Sequence, residues 1–110
     1  MLKEFMTREP ARADIDGMAG PVLIEFGSPT CGHCHAMWPA LERALASHPG
    51  IDHYRIEDGR GRPLGRSFGV KLWPTLVFMR GGVEVARLVR PLDVEPISAA
   101  LARVDGSTST

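Results

Sequence analysis

The sequence predicts an α/β fold, a mixed β-sheet with helices on both faces, and three observations carry that expectation. Pro21–Phe26, PVLIEF, is a near-continuous apolar run of strand length, as expected of a strand covered on both sides. A helix-period stripe follows it directly, at Cys34, Met37, Trp38, Leu41, Ala44, Leu45 and His48. Farther on, TLVFM and VEVARLV flank Arg80–Gly82 and predict a β-hairpin with a glycine-containing turn. Strands alternating with helices, closed by a hairpin and a last helix, give the mixed, two-sided sheet.

Taken in order, Leu2–Phe5 is expected to form a short strand and Pro10–Asp16 a helix. After the Pro21–Phe26 strand comes the long helix, with Gly50 as its stop signal and Pro39 inside it. A proline there removes a backbone donor and predicts a kink. Ile51–Glu57 reads as the next strand, and Pro63–Phe68 as a short helix beyond a Gly/Arg-rich loop. The last helix opens at Asp93, an N-cap residue type, with Glu95 and Pro96 in its first turn. Val94, Ile97, Leu101 and Val104 make its buried face. Residues 1–104 are expected to form one domain, and 105–110, DGSTST, a disordered tail.

Composition excludes several classes. The 110 residues are 44% hydrophobic, enough for a core, and 13 basic residues balance 13 acidic ones. That balance offers no footprint for nucleic acid or an anionic membrane. No stretch approaches the ~18 apolar residues of a membrane span. Charges interrupt the opening MLKEFMTREPARADID, so no secretory leader is visible. With Met1 as the natural start a cytoplasmic location is expected, and a periplasmic one if the chain is a processed form. A monomer is the expectation for so small a domain.

The chemistry concentrates in SPTCGHCHAMWP, Ser28–Pro39. Cys31-Gly32-His33-Cys34-His35 matches three patterns: half a zinc site, the attachment sequence of a c-type haem, and a redox dithiol. Zinc needs a second ligand pair, and no second CxxC or HxxxH exists. Haem would claim His35, yet the flanking strand and hairpin suit a sheet protein. The dithiol requires only two close thiols, one exposed and acidified. A helix N-terminus supplies that for Cys31 through its unpaired N–H groups and dipole. Cys34, one turn in, is placed to attack a mixed disulfide formed on Cys31. The dithiol is the favoured reading, with no metal or organic cofactor.

VLIEF, then GSPTCGHC, HAMWP and FGVKLWPTLVFMRGG, together resemble the strand, active-site loop, kinked helix and closing hairpin of the thioredoxin superfamily, over about Pro21 to Val104. The resemblance implies a thioredoxin-like three-layer α/β/α sandwich and thiol–disulfide exchange. It makes Cys31, Cys34 and Glu25 the candidate catalytic residues, with substrate contacts at Thr30, Gly32, His33, Trp73 and Pro74. It further implies that Trp73–Pro74 is a cis peptide facing the dithiol, leaving the Trp73 backbone free to pair with an extended substrate. Glu25 would be a buried proton acceptor for Cys34, with a pKa raised by burial, and Arg55 would stand near it. The implied partners are proteins bearing disulfides or dithiols, and an unidentified electron donor or acceptor. A binding module or redox sensor on the same fold is the alternative.

The chain also departs from thioredoxins. Thr30 stands where they carry tryptophan, Trp73 is bulkier than the usual aliphatic residue, and Val89–Arg90–Pro91 lacks the small residue of their docking surface. The dipeptide Gly32-His33 is that of protein disulfide isomerases, implying a more oxidising pair.

Overall fold

The structure, a computed structural model, describes residues 2–106. Eight elements follow in chain order: α1 (Arg12–Asp16), β1 (Pro21–Gly27), α2 (Gly32–Ala46), β2 (Asp52–Glu57), α3 (Pro63–Ser67), β3 (Thr75–Arg80), β4 (Val83–Val89) and α4 (Val94–Asp105). The strands form one mixed sheet in the order β2-β1-β3-β4, with β1 parallel to β2 and every other pair antiparallel.

Interior β1 is apolar except at Glu25 because both of its faces are covered. Val22, Ile24 and Phe26 point into one core with Ile15, Ile56, Leu64, Phe68, Val77 and Met79. Leu23 points into the other, among Met37, Leu41, Leu76, Phe78, Ile97 and Leu101 of α2, β3 and α4. Burying each such side chain contributes about 1.5–3 kcal/mol. The two-residue alternation of a strand therefore places Glu25 and Gly27 on the α2 side with Leu23. This assignment positions the site.

Gly81 and Gly82, at φ +58° and +81°, close β3 and β4 with the two-residue turn whose twist matches the strands. At the far end of α4, the Arg80 guanidinium donates to the carbonyls of Val104 (3.0 Å) and Asp105 (2.7 Å), satisfying acceptors that the helix cannot.

Several boundaries differ from the sequence reading. Residues 2–5 form no strand: beside the β2 edge, Met6 N–H donates to the Arg55 carbonyl (2.8 Å), while the Arg55 side chain takes the Lys3 carbonyl. A guanidinium thus holds this segment where a ladder was expected. The first helix covers only Arg12–Asp16. α2 ends at Ala46, capped by Ser47 in a right-handed conformation, so Gly50 is not its stop. Asp93 is the N-cap of α4 but makes no side-chain capping bond. α4 includes Asp105, which the sequence assigns to the tail, and ends on Gly106 at φ +69°; residues 107–110 of that tail lie outside the described residues. Among the described residues no helix is long and apolar enough to cross a membrane.

Candidate active site

The β1–α2 junction carries the dithiol. Ser28 organises the connecting loop: its hydroxyl bonds the Thr30 hydroxyl (3.1 Å) and accepts the Thr30 N–H (3.2 Å), and its carbonyl accepts the Cys31 N–H (3.2 Å). Cys31 is the N-cap of α2, partly exposed, and its Sγ accepts the Cys34 backbone N–H at 3.2 Å. A thiolate there occupies the place a capping oxygen usually takes, at the positive end of the helix.

Cys34 is fully buried. Its sulfur fits because residue 27 is glycine; a Cβ at Gly27 would lie 2.6 Å from the Cys34 Sγ. Burial pushes the Cys34 thiol up to about 12, helped by the hydrogen bond to Cys31 and by the charges of Cys31 and Glu25, against a backbone hydrogen bond from Ser28. Cys34 is therefore a thiol in the resting dithiol. Two of these influences come from Cys31 itself and vanish once its sulfur enters a mixed disulfide.

Glu25 is buried in a ring of donors. Oε1 accepts from Arg55 Nε (2.8 Å) and meets His53 Nε2 (3.0 Å), while Oε2 accepts from Trp38 Nε1 (2.8 Å) and Arg55 Nη2 (3.1 Å). The strand register explains the assembly, since Glu25 stands opposite Arg55 and Leu23 opposite His53. Arg55 is in turn covered by the rings of Phe5 and Trp38, each 4.5 Å from its guanidinium carbon. Burial is the largest influence on Glu25 and raises its pKa, but the hydrogen bonds from His53 and Arg55 and their charges outweigh it. The carboxyl is held below its ordinary value of 4.5. This reverses the upward shift expected from burial alone. With the Cys34 thiol raised and the Glu25 carboxyl lowered, direct proton transfer between them in the resting dithiol is uphill.

Trp73–Pro74 is cis, with Pro74 buried at the foot of β3. Beside it opens a cavity of about 410 Å³, bounded by Thr30, Cys31 and His33 on one side and Lys71, Leu72, Trp73 and Arg90 on the other. The Trp73 indole is pinned by Asp58 Oδ2 (2.8 Å). Its carbonyl, expected to be free for a substrate strand, accepts from Arg90 Nε (2.8 Å), while Arg90 N–H donates to the Pro74 carbonyl (2.9 Å).

The structure thus brings Thr30, Cys31, His33 and Trp73 to one groove, with Gly32 exposed at its helix end, and puts Cys34 and Glu25 beneath. Sequence reasoning gave no site role to Lys71, Arg90 or Asp58, and left Trp38 in the helix stripe and His53 within the Ile51–Glu57 strand. The signal for Trp38 was its indole N–H, which needs a partner when covered. For His53 it was the two-residue spacing from Arg55, which puts both on one strand face. His35, the ligand a haem would require, has its Nε2 2.6 Å from the Pro29 carbonyl and stacks on Trp38 at 4.4 Å. Among the described residues no group of three or more His, Cys, Asp or Glu is arranged to hold a metal ion.

Comparison with known proteins agrees with this architecture. The thioredoxin family model matches residues 4–103. Thioredoxin of Chlamydia muridarum is 36% identical over 72 residues, covering 64% of this chain and 70% of that protein. Protein disulfide-isomerase of Hordeum vulgare is 33% identical over 95 residues, 80% of this chain but 18% of that longer protein. The chain thus spans about a fifth of the length of the isomerases it matches. Among solved structures, reduced thioredoxin 2 of Pseudomonas aeruginosa PAO1 superposes with a TM-score of 0.87 at 47% identity, covering 96% of this chain and 98% of that one. The fold, the paired cysteines at a helix N-terminus and the family match converge: this chain belongs to the thioredoxin family.

Proposed function

We propose that the protein is a thiol–disulfide oxidoreductase acting on protein disulfides through Cys31 and Cys34. The observation that carries this reading is the asymmetry of the pair, an accessible Cys31 sulfur receiving the Cys34 N–H and a buried Cys34 held as a thiol. The Cys31 thiolate attacks one sulfur of the substrate disulfide; a Cys31–substrate disulfide forms and the other substrate sulfur leaves as a thiolate. Cys34 then loses its proton and attacks the Cys31 sulfur. The Cys31–Cys34 disulfide forms, and the second substrate sulfur leaves. The substrate gains two electrons and the dithiol loses two, with two protons passing to the departing thiolates. An external dithiol or reductase restores the pair, and the reverse sequence oxidises a substrate dithiol.

We assign Glu25 the proton-acceptor role for Cys34 in the mixed disulfide, where the Cys31 influences on Cys34 are gone and burial, the largest, remains. Thr30 and His33 stand on one bank of the substrate groove and Trp73 on the other, with Gly32 at the helix end and Pro74 buried behind Trp73. His33 lies exposed on the same bank as Cys31. The Gly-His pairing argues for a potential between about −270 mV, the thioredoxin value, and about −180 mV, that of the isomerase.

Titration of the purified protein in glutathione buffers, with free thiols alkylated and counted by mass, tests this. One reversible two-electron transition in that interval is expected, with substoichiometric catalysis of insulin reduction and covalent substrate trapping by Cys34→Ser. Absence of turnover and of trapping would leave a binding module.

A further inference from the structure

The groove beside Cys31 carries two cations, Lys71 and Arg90. His33 stands on one bank and Lys71 and Arg90 on the other, all exposed. Among the described residues none of the three is paired with a carboxylate. The Asp58 carboxylate behind this wall accepts the Trp73 indole N–H. Arg90 is built into position. Its backbone adopts a left-handed φ of +54°, rare for a side chain of this kind, its N–H is tied to the Pro74 carbonyl and its Nε to the Trp73 carbonyl. The two terminal nitrogens of the guanidinium make no hydrogen bond among the described residues, which leaves the fork that suits a carboxylate.

We infer that this groove selects protein disulfides whose cysteine is flanked by acidic side chains. The inference rests on the oxidoreductase reading and specifies the substrate class of that site. A thiolate nucleophile repels an acidic target, so such disulfides are ordinarily poor substrates. Lys71 and Arg90 offset that repulsion and supply the complementary charge that speeds encounter. Trp73 and Leu72 provide the apolar surface between them, Leu72 being 49% exposed.

The test uses prereduced protein freed of reductant and three peptides, identical but for Asp, Asn or Lys on both sides of a cysteine held as a 2-pyridyl disulfide. Release of pyridine-2-thione gives each rate, which is divided by that of dithiothreitol on the same peptide to remove intrinsic reactivity. The normalised rate is expected to favour Asp over Asn by about tenfold at low salt, with Lys slowest. The preference should shrink severalfold near 1 M salt, where the screening length falls to about 3 Å. Lys71→Gln and Arg90→Gln should each bring the Asp:Asn ratio toward one, whatever they do to the rates themselves. Lys71 is exposed and has no carboxylate partner among the described residues, so that variant reads the charge even if Arg90→Gln disturbs its loop. A low-salt ratio near one, or a ratio unmoved by both variants, overturns the inference while leaving the oxidoreductase reading intact. Failure to reduce any peptide sinks both.

Discussion

Glu25→Gln is the sharpest test of the buried charge cluster. Each Glu25 oxygen meets two nitrogen partners, and Arg55 reaches both oxygens. Whichever way the Gln amide turns, its NH2 faces an Arg55 donor, and the guanidinium loses its countercharge within the protein. Breaking a buried ion pair by removing one partner costs about 3–5 kcal/mol, out of about 5–15 kcal/mol for a domain of this kind. At about 4 °C per kcal/mol, the melting temperature should fall by about 12–20 °C, read by circular dichroism on the reduced protein. The pH profile supplies a second reading. The folded state holds Glu25 below 4.5, so in that acid range the unfolded chain binds more protons and stability rises with pH. The wild type should lose this contribution as pH falls below about 4.5 and through the folded pKa, and Glu25→Gln should lack that part of the acid limb. A variant melting within about 2 °C of the wild type at neutral pH would refute the reasoning.

Three further outcomes are expected. Gly27→Ala inserts a methyl 2.6 Å from the Cys34 sulfur, costing about 1–3 kcal/mol and slowing resolution, so mixed disulfides should persist in acid-quenched samples. Cys34, raised from 9.0 to about 12, makes the folded reduced protein bind more protons than the unfolded chain between those values; its stability should fall as pH rises from 9 toward 12, by denaturant titration, and less steeply in Cys31→Ser. Gly65→Ala places a Cβ 2.2 Å from the Asp58 carboxylate and displaces the partner of the Trp73 indole. Its KM for a protein disulfide should rise more than its kcat falls, and an unchanged KM would mean that Asp58 does not brace the groove.

What the sequence discloses and what it withholds follow physical lines. The β1 strand, the dithiol at a helix N-terminus and the glycine hairpin were legible because each is a local pattern. The cis Trp73–Pro74 bond was expected only through resemblance to a family. Glu25 was recognised as buried, yet the direction of its pKa was misjudged because that depends on His53 and Arg55 of β2, which only register and pleat bring to it. Lys71 and Arg90 belong to separate loops that converge on Cys31 only in the folded chain, so no spacing rule points to them. Residues 2–5 mimicked a strand, but the Lys3 carbonyl is taken by the Arg55 side chain, and the Arg55 backbone carbonyl accepts only beyond them, from Met6.

The same cluster bears on the order in which the chain folds. Glu25, Trp38, His53 and Arg55 come from β1, α2 and β2, and the covering Phe5 from the segment near the start of the chain. The Glu25–Arg55 pair needs β1 beside β2, and it is fully covered only once α2 brings Trp38 and the segment near the start of the chain brings Phe5; a half-covered ion pair gains little by leaving water. The cluster therefore closes after the sheet has assembled, when most nonlocal loops have been paid in entropy. Its stabilising effect then falls on the unfolding limb, so Glu25→Gln should unfold faster while refolding at nearly the wild-type rate. A charge cluster made from distant pieces is in this sense a lock fitted last, one that slows escape from the native state rather than guiding the chain into it.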